Sequence, residues 1–167
     1  QANQLLAEGK WSEAVRLLNS VHPNDKRTVD QSQALASFMF QLQPEESYKL
    51  HKEVAAAHPD LEMPNYLWAV EQHRRGEWKG ALASYRLASR LMKDYAPTYG
   101  LAAECALRLG KVDEAMELWD KSEQAQTGTL EEFETEVCRI HGPLPKHRER
   151  EALMTKAKAG DAEAAVG

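Results

Sequence analysis

The side chains with the most metal-like spacing are Cys138 and His141, three positions apart, with His147 six positions further along the chain. A cysteine and a histidine one helical turn apart can share a zinc ion, because zinc prefers thiolate and imidazole ligands. A structural zinc site needs four protein ligands, and no fourth ligand stands at a usable spacing. We therefore interpret Cys138 as a buried residue at a helix end and both histidines as solvated loop residues, and we expect no metal.

Other reactive side chains have structural interpretations too. His51 and His58 are seven positions apart, which on a helix separates them by about 10 Å, too far for one metal ion. Cys105 belongs to no CxxC pair, and we interpret it as a small buried residue rather than a nucleophile, because a buried thiol reacts poorly. The pairs Glu45–Glu46 and Glu131–Glu132 fall in first helical turns, where carboxylates complement the helix dipole. The sequence contains no glycine-rich phosphate loop, HExxH motif or nucleophilic serine elbow, so we expect neither an enzyme nor a cofactor.

The composition of the chain argues against two classes of protein, nucleic-acid-binding proteins and membrane-inserted proteins. The 167 residues suffice for one ordinary domain or a short stacked array. A net charge of −5 argues against a nucleic-acid-binding surface, which needs many cations on one face. No apolar run approaches the ~20 residues of a membrane span, so we expect no membrane insertion. The chain begins at Gln1 rather than Met, so a signal peptide could have been removed, and the sequence leaves the location unknown with the cytoplasm slightly favoured.

A short segment recurs along the chain and predicts the elements that position these side chains. The segment Gly9–Ala14 has counterparts at Gly76–Ala81 and Gly110–Ala115. The last two are 34 residues apart, and the first two are 67 apart, which predicts a degenerate copy near position 43. The segment Gln43–Tyr48 lies there without the glycine, but Pro44 is suited to opening a helix because its missing N–H needs no partner in the first turn.

Apolar residues at helical spacing precede and follow each of these segments. Two amphipathic helices that meet at a short turn form a helical hairpin. The stripes after the three glycine turns are Ala14, Leu17, Leu18 and Val21; Ala81, Tyr85, Ala88 and Met92; and Ala115, Leu118 and Trp119.

This pattern resembles the tetratricopeptide repeat family, in which a small residue precedes and another follows a Gly-x-aromatic turn. Ala69 and Ala81, like Ala103 and Ala115, match the small positions that let paired helices approach closely. Gln72 departs from the pattern, since the family usually has a large apolar residue there. The resemblance implies an all-α fold, a right-handed solenoid of stacked antiparallel helical hairpins.

The predicted organisation has three parts. Residues 1–126 form an array of about four hairpins, the first cut short at Gln1 and the second degenerate. Residues 127–160 form a capping hairpin, which a capping box at Thr129–Glu132 opens and the segment Gly142–Pro145 divides. Residues 161–167 are either a tail or the start of a further repeat that resembles the Sel1 type.

The resemblance also implies a binding surface, because such stacks hold a peptide or partner helix on the concave face formed by the first helix of each hairpin. A clamp for chaperone tails is disfavoured: Asn3 matches that motif, but Ala34, Met63 and Leu67 cannot bind a carboxylate. We expect a mixed apolar and weakly polar groove instead. Its predicted residues are Asn3, Asp30, Gln33, Ser37, Met63, Tyr66, Val70, Gly100 and Glu104.

Two classes of function follow from this reading. The first is a scaffold that binds a protein or peptide in the groove. The second is a structural or oligomerisation arm of a larger protein, docking through its ends or convex face, with a homo-oligomer as one form. An enzyme lacks a set of acid, base and nucleophile, and an RNA-reading helical array needs a basic groove that this sequence does not predict.

Overall fold

A computed structural model describes residues 28–40 and 42–125, together with the isolated positions 4, 5, 8, 10, 13, 16, 17, 152 and 155. Within 28–125 the chain forms six helices and no strand, which confirms the all-α prediction for this part. No helix among the described residues is long and apolar enough to cross a membrane. The helices are α1 (Val29–Met39), α2 (Pro44–Ala57), α3 (Glu62–Arg74), α4 (Trp78–Leu91), α5 (Ala96–Arg108) and α6 (Val112–Gln124).

The chain divides into two compact units, Gln1–Pro59 and Asp60–Gly167. In the first unit α1 packs against α2. A capping box starts α1: the Thr28 side chain accepts a hydrogen bond from the Gln31 amide, and the Gln31 side chain accepts one from the Thr28 amide. The hydroxyl of Ser47 on α2 donates to the carbonyl of Ala36 on α1 at 2.6 Å, which ties the two helices together.

In the second unit each helix packs against the next, α3 on α4, α4 on α5 and α5 on α6. One apolar core runs through all four helices, and Tyr85 is its largest fully buried side chain. Small residues dominate the helix contacts, which allows close approach of the backbones. The buried small residues of this core are Ala69, Ala81, Ala88, Ala102, Ala103, Ala106 and Ala115.

The two glycine turns of the second unit have the same geometry. Gly76 and Gly110 adopt φ angles of 73° and 72°, a left-handed conformation that favours glycine. The amide of Gly76 donates to the carbonyl of His73, and that of Gly110 to Leu107, both at 2.9 Å. The next amide donates back to Gln72 in one turn and to Ala106 in the other, again at 2.9 Å. Both predicted turns are confirmed, and each closes with the same paired hydrogen bonds of a glycine cap.

Helix starts recur at the predicted interval. The helices α2, α4 and α6 begin at positions 44, 78 and 112, two successive steps of 34 residues. Pro44 occupies the first turn of α2, so the degenerate segment opens a helix as predicted. The predicted turn at Gly9 and the predicted capping hairpin of residues 127–160 lie outside the described residues, apart from Ala152 and Thr155, which are helical.

We expect Ala81→Trp or Ala103→Trp to lower the free energy of unfolding by about 1–3 kcal/mol. Both alanines are fully buried where helices meet, so an indole has no space without displacement of a neighbouring helix. Urea denaturation followed by circular dichroism measures the change. Ala83→Trp on the exposed face of α4 is the matched control. Equal stability of Ala81→Trp and its parent would contradict this packing.

The unusual Gln72 is explained by its partner on the next helix. Gly80 on α4 has no side chain, and a Cβ placed there would overlap the Gln72 side-chain nitrogen and lie 3.2 Å from its Cδ. The Gln72 side-chain oxygen accepts a hydrogen bond from the Ser84 hydroxyl at 2.6 Å. Gln72 therefore fills the space above Gly80, with its amide oxygen hydrogen-bonded to Ser84, where the tetratricopeptide pattern has an apolar residue.

This contact predicts energetic coupling between positions 72 and 80. In the Gln72→Ala background, Gly80→Ala is expected to stabilise the chain by about 1 kcal/mol, because alanine is the better helix former. In the native background that gain is expected to vanish, because the new methyl group displaces Gln72 from Ser84 and costs about one hydrogen bond. A double-mutant cycle in urea measures the coupling. Simple additivity of the two substitutions would refute the contact.

Candidate partner-binding site

The nine residues predicted to contact a partner differ widely in exposure. Asn3 lies outside the described residues. In the first unit Asp30 is exposed, Ser37 is half-buried and Gln33 is buried. In the second unit Met63 is 45% exposed. The remaining four residues of the second unit are buried, namely Tyr66, Val70, Gly100 and Glu104.

Tyr66 illustrates what the buried members do. It is 3% exposed, and its ring meets that of Tyr95 edge-on, with centroids 5.8 Å apart, and that of Tyr85 at 6.2 Å. Burial raises the pKa of Tyr66 well above its usual value, and Tyr85 and Tyr95 add to the shift. Tyr66 is a packing residue between α3 and α4, so it offers no open contact surface in this structure. The sequence pattern places Tyr66 on a helix but does not predict that Tyr85 and Tyr95 cover it.

Glu104 belongs to a buried polar cluster, which we define as His73, Tyr85, Glu104, Cys105 and Arg108. His73 on α3 is fully buried, and its Nε2 lies 3.3 Å from Glu104 Oε2 on α5, within ion-pair distance but out of line for a hydrogen bond. Its Nδ1 lies 3.3 Å from the Tyr85 hydroxyl and 3.7 Å from Cys105 Sγ. The cluster joins three helices through one imidazole.

Arg108 closes this cluster on one side. Its Nη2 lies 3.8 Å from Glu104 Oε1, one turn away on α5. The guanidinium carbon lies 5.8 Å from the centre of the Trp78 ring, a cation–π contact. The same indole meets the His73 ring edge-on at 5.4 Å. Glu104 is thus held between a histidine and an arginine, and a buried carboxylate requires such partners.

Cys105 and His73 lie as close together as the cysteine and histidine of a catalytic pair. Nucleophilic cysteine chemistry needs a thiolate that a substrate can reach. Cys105 is fully buried, and burial, followed by the charge of Glu104, raises the pKa of its thiol well above the usual value. The pair therefore packs the helices, in agreement with the sequence interpretation of Cys105 as a small buried residue.

We expect Cys105 to resist thiol reagents in the native chain. In a Cys138→Ser background, which leaves one thiol, a disulfide reagent at pH 8 should react at least tenfold faster in denaturant than in buffer, because the native thiol is covered and protonated. The rate of chromophore release measures the difference. Similar rates in both solutions would mean that the site opens readily.

Metal-ligating residues do not gather within the part of the chain that the structure describes: it contains no group of three or more histidine, cysteine or acidic residues that could hold an ion. His51 is buried on α2, and His58 is the half-buried C-cap residue that follows this helix. Cys138, His141 and His147 lie outside the described residues.

His73 and Arg108 are the members of the buried polar cluster that sequence reasoning did not single out. A signal in the sequence exists for His73. His73 lies 31 positions before Glu104 and 32 before Cys105, close to one 34-residue period. A polar residue on a predicted helix, about one period before Glu104, is the signal in the sequence that predicts a contact between His73 and Glu104.

No family model matches the chain, and no curated protein is significantly similar to it. The interpretation of the site therefore rests on the residues themselves and their geometry.

Proposed function

We propose that this chain is a tetratricopeptide-type stack of helical hairpins that acts as a scaffold, binding a peptide or a partner protein. The observation that carries the proposal is the 34-residue spacing of the starts of α2, α4 and α6. The two turns at Gly76 and Gly110 support it, because they close with hydrogen bonds at equivalent positions. Stacked repeats of this kind expose long continuous surfaces and function mainly in recognition.

The proposed contact region is the accessible part of the first-helix face. In the second unit this is the beginning of α3, where Met63 is 45% exposed and the preceding Leu61 is 39% exposed. A methionine adapts its shape to different partners and is common at such surfaces. In the first unit Asp30 and Ser37 remain accessible for polar contacts. Tyr66 and Glu104 are buried and do not belong to this accessible part.

A selection of displayed random peptides on the immobilised full chain tests the proposal. Binding of the selected peptides is then measured by fluorescence anisotropy for the parent, Met63→Asp and Ala83→Asp. The two variants add the same charge at exposed helical positions, one inside the proposed region and one outside it. Met63→Asp should weaken binding about tenfold, as loss of a central apolar contact does, and Ala83→Asp should change it less than twofold.

Failure of the selection to yield a specific binder, or equal effects of both variants, would contradict a recognition surface at the start of α3. Circular dichroism melting of each variant verifies that the helices persist. Both positions are exposed, so neither substitution removes a buried contact.

A second candidate function is an oligomerisation arm. Its support is the exposure of Leu61 and Met63, two positions apart at the start of the second unit, since exposed apolar groups that lie together mark association sites. Sedimentation equilibrium of the parent and of a Leu61→Asp/Met63→Asp variant tests it without any ligand. A concentration-dependent dimer that the variant abolishes would support this candidate, and a monomer at all concentrations would exclude it.

A further inference from the structure

An open cleft lies between α4, α5 and α6 in the second unit, on residues that the proposed groove does not use. Its volume is about 420 Å³, within the range of pockets that bind ligands. Tyr99 of α5 and Leu118 of α6 contribute apolar surface to it, and charged side chains of α4, of the turn after α4 and of α6 line the rest.

The charges of the cleft are opposite in sign to those of the whole chain. Four cations line it, Arg86, Arg90, Lys93 and Lys121, against the two carboxylates Glu114 and Glu117. The cleft therefore carries a formal excess of two positive charges in a chain whose net charge is −5. Concavities lined by one sign of charge concentrate ligands of the opposite sign.

One of the two carboxylates is already neutralised. Glu114 forms an ion pair with Arg86, and its second oxygen lies 3.4 Å from the Lys111 ammonium. Partial burial acts to raise the pKa of Glu114, but the hydrogen bond and charge of Arg86, together with Lys111, outweigh it and lower that pKa. Glu114 therefore stays ionised, and Arg86 is occupied.

The other three cations have no such partner. Among the described residues Arg90, Lys93 and Lys121 form no ion pair. Arg90 lies on α4, Lys93 in the turn that follows α4, and Lys121 on α6. The Tyr99 hydroxyl donates to the carbonyl of Lys93 at 2.8 Å, which fastens the chain just after α4 to α5. This bond holds the backbone that carries Lys93 and positions it beside the cleft.

We propose that this cleft binds an acidic peptide segment of a partner protein, whose carboxylates pair with Arg90, Lys93 and Lys121. The inference rests on the proposed scaffold function and names the chemistry of one partner. The cations come from α4, from the turn after it and from α6, and they share the cleft with Tyr99 and Leu118. Such a spread of cations suits several carboxylates on an extended chain. A single phosphate ion instead needs donors that converge on one point.

The test uses the full chain and a fluorescein-labelled ten-residue peptide that alternates glutamate and leucine, compared with the same peptide carrying glutamine in place of glutamate. We expect the acidic peptide to bind and the glutamine peptide to bind at least tenfold more weakly. Its affinity should fall as salt is added, because exposed charge pairs are screened. Equal binding of the two peptides would overturn the proposal.

Charge reversal locates the binding site. Arg90→Glu on α4 and Lys121→Glu on α6 should each weaken acidic-peptide binding roughly fivefold, as an attraction is replaced by a repulsion. Lys79→Glu is the matched control, because it makes a similar charge change at an exposed position of α4 outside the cleft. A loss as large for Lys79→Glu as for Arg90→Glu would show attraction by overall charge only and overturn the proposal.

Two further outcomes separate this inference from its alternatives. Full competition by millimolar inorganic phosphate would identify an anion site and overturn the peptide assignment. If the acidic peptide fails to bind, the cleft proposal is overturned. Selected peptides whose binding depends on Met63 but not on Arg90 or Lys121 would still support the scaffold function. If the acidic peptide binds with the expected variant effects and no selected peptide depends on Met63, the result supports peptide binding in the cleft. It contradicts the proposed contact region at the start of α3.

Discussion

Replacement of Glu104 by alanine is expected to lower the free energy of unfolding by about 3–5 kcal/mol, the typical cost of removing one partner from a buried ion pair. Glu104 is 1% exposed and lies 3.3 Å from His73 Nε2 and 3.8 Å from Arg108 Nη2. Without the carboxylate, the buried imidazole and the largely buried guanidinium lose their negative partner. The desolvation of those groups is then uncompensated.

Urea denaturation of the full chain at neutral pH measures this effect. Glu117→Ala is the matched control, because it removes an exposed glutamate from the adjacent helix, α6, and should change stability by less than about 0.5 kcal/mol. A cost below about 1 kcal/mol for Glu104→Ala would show that the pair contributes little net energy. The same measurement is a control for binding experiments. It shows whether weaker binding by a Glu104 variant results from unfolding rather than from loss of a contact with the partner.

Replacement of Tyr85 by alanine is expected to destabilise the chain by a similar amount, about 3–5 kcal/mol, as for other buried aromatic residues. Tyr85 is fully buried, packs against Tyr66 and places its hydroxyl 3.3 Å from His73 Nδ1. Truncation opens a cavity between α3 and α4 and removes this polar contact at the same time.

Tyr85→Phe separates the two contributions. It keeps the ring and removes the hydroxyl, so we expect a loss of only about 0.5–1.5 kcal/mol. Urea denaturation of both variants provides the comparison. If phenylalanine costs as much as alanine, the hydroxyl in the buried polar cluster, rather than the volume of the ring, stabilises this region.

The sequence by itself determined the helices and their register in the described part of the chain. Gly76 and Gly110 end their helices because glycine adopts the left-handed conformation that the turn requires. Pro44 opens α2 because its missing N–H is tolerated in a first turn. These effects act within one or two helical turns of chain, so residue types at short spacing are enough to predict them.

The tertiary structure alone decided which residues of a predicted face remain accessible. Met63 and Tyr66 lie on the same helix, three positions apart, but Met63 is exposed and Tyr66 is covered by Tyr85 and Tyr95. Periodicity predicts the direction in which a side chain points, whereas burial depends on the helices that pack over it. The neighbours that cover Tyr66 are 19 and 29 residues away in the sequence.

Long-range pairings were decided in the same way. The approach of α3 to α5 joins His73 to Glu104, and the absence of a side chain at Gly80 gives Gln72 its place. The cations of the cleft are brought together by packing as well. In the sequence Arg90 and Lys121 look like ordinary solvated charges, and they line one cleft only because α4 and α6 both border it. Such contacts depend on helix packing over intervals of 8 to 31 residues, and local residue preferences carry no information about them.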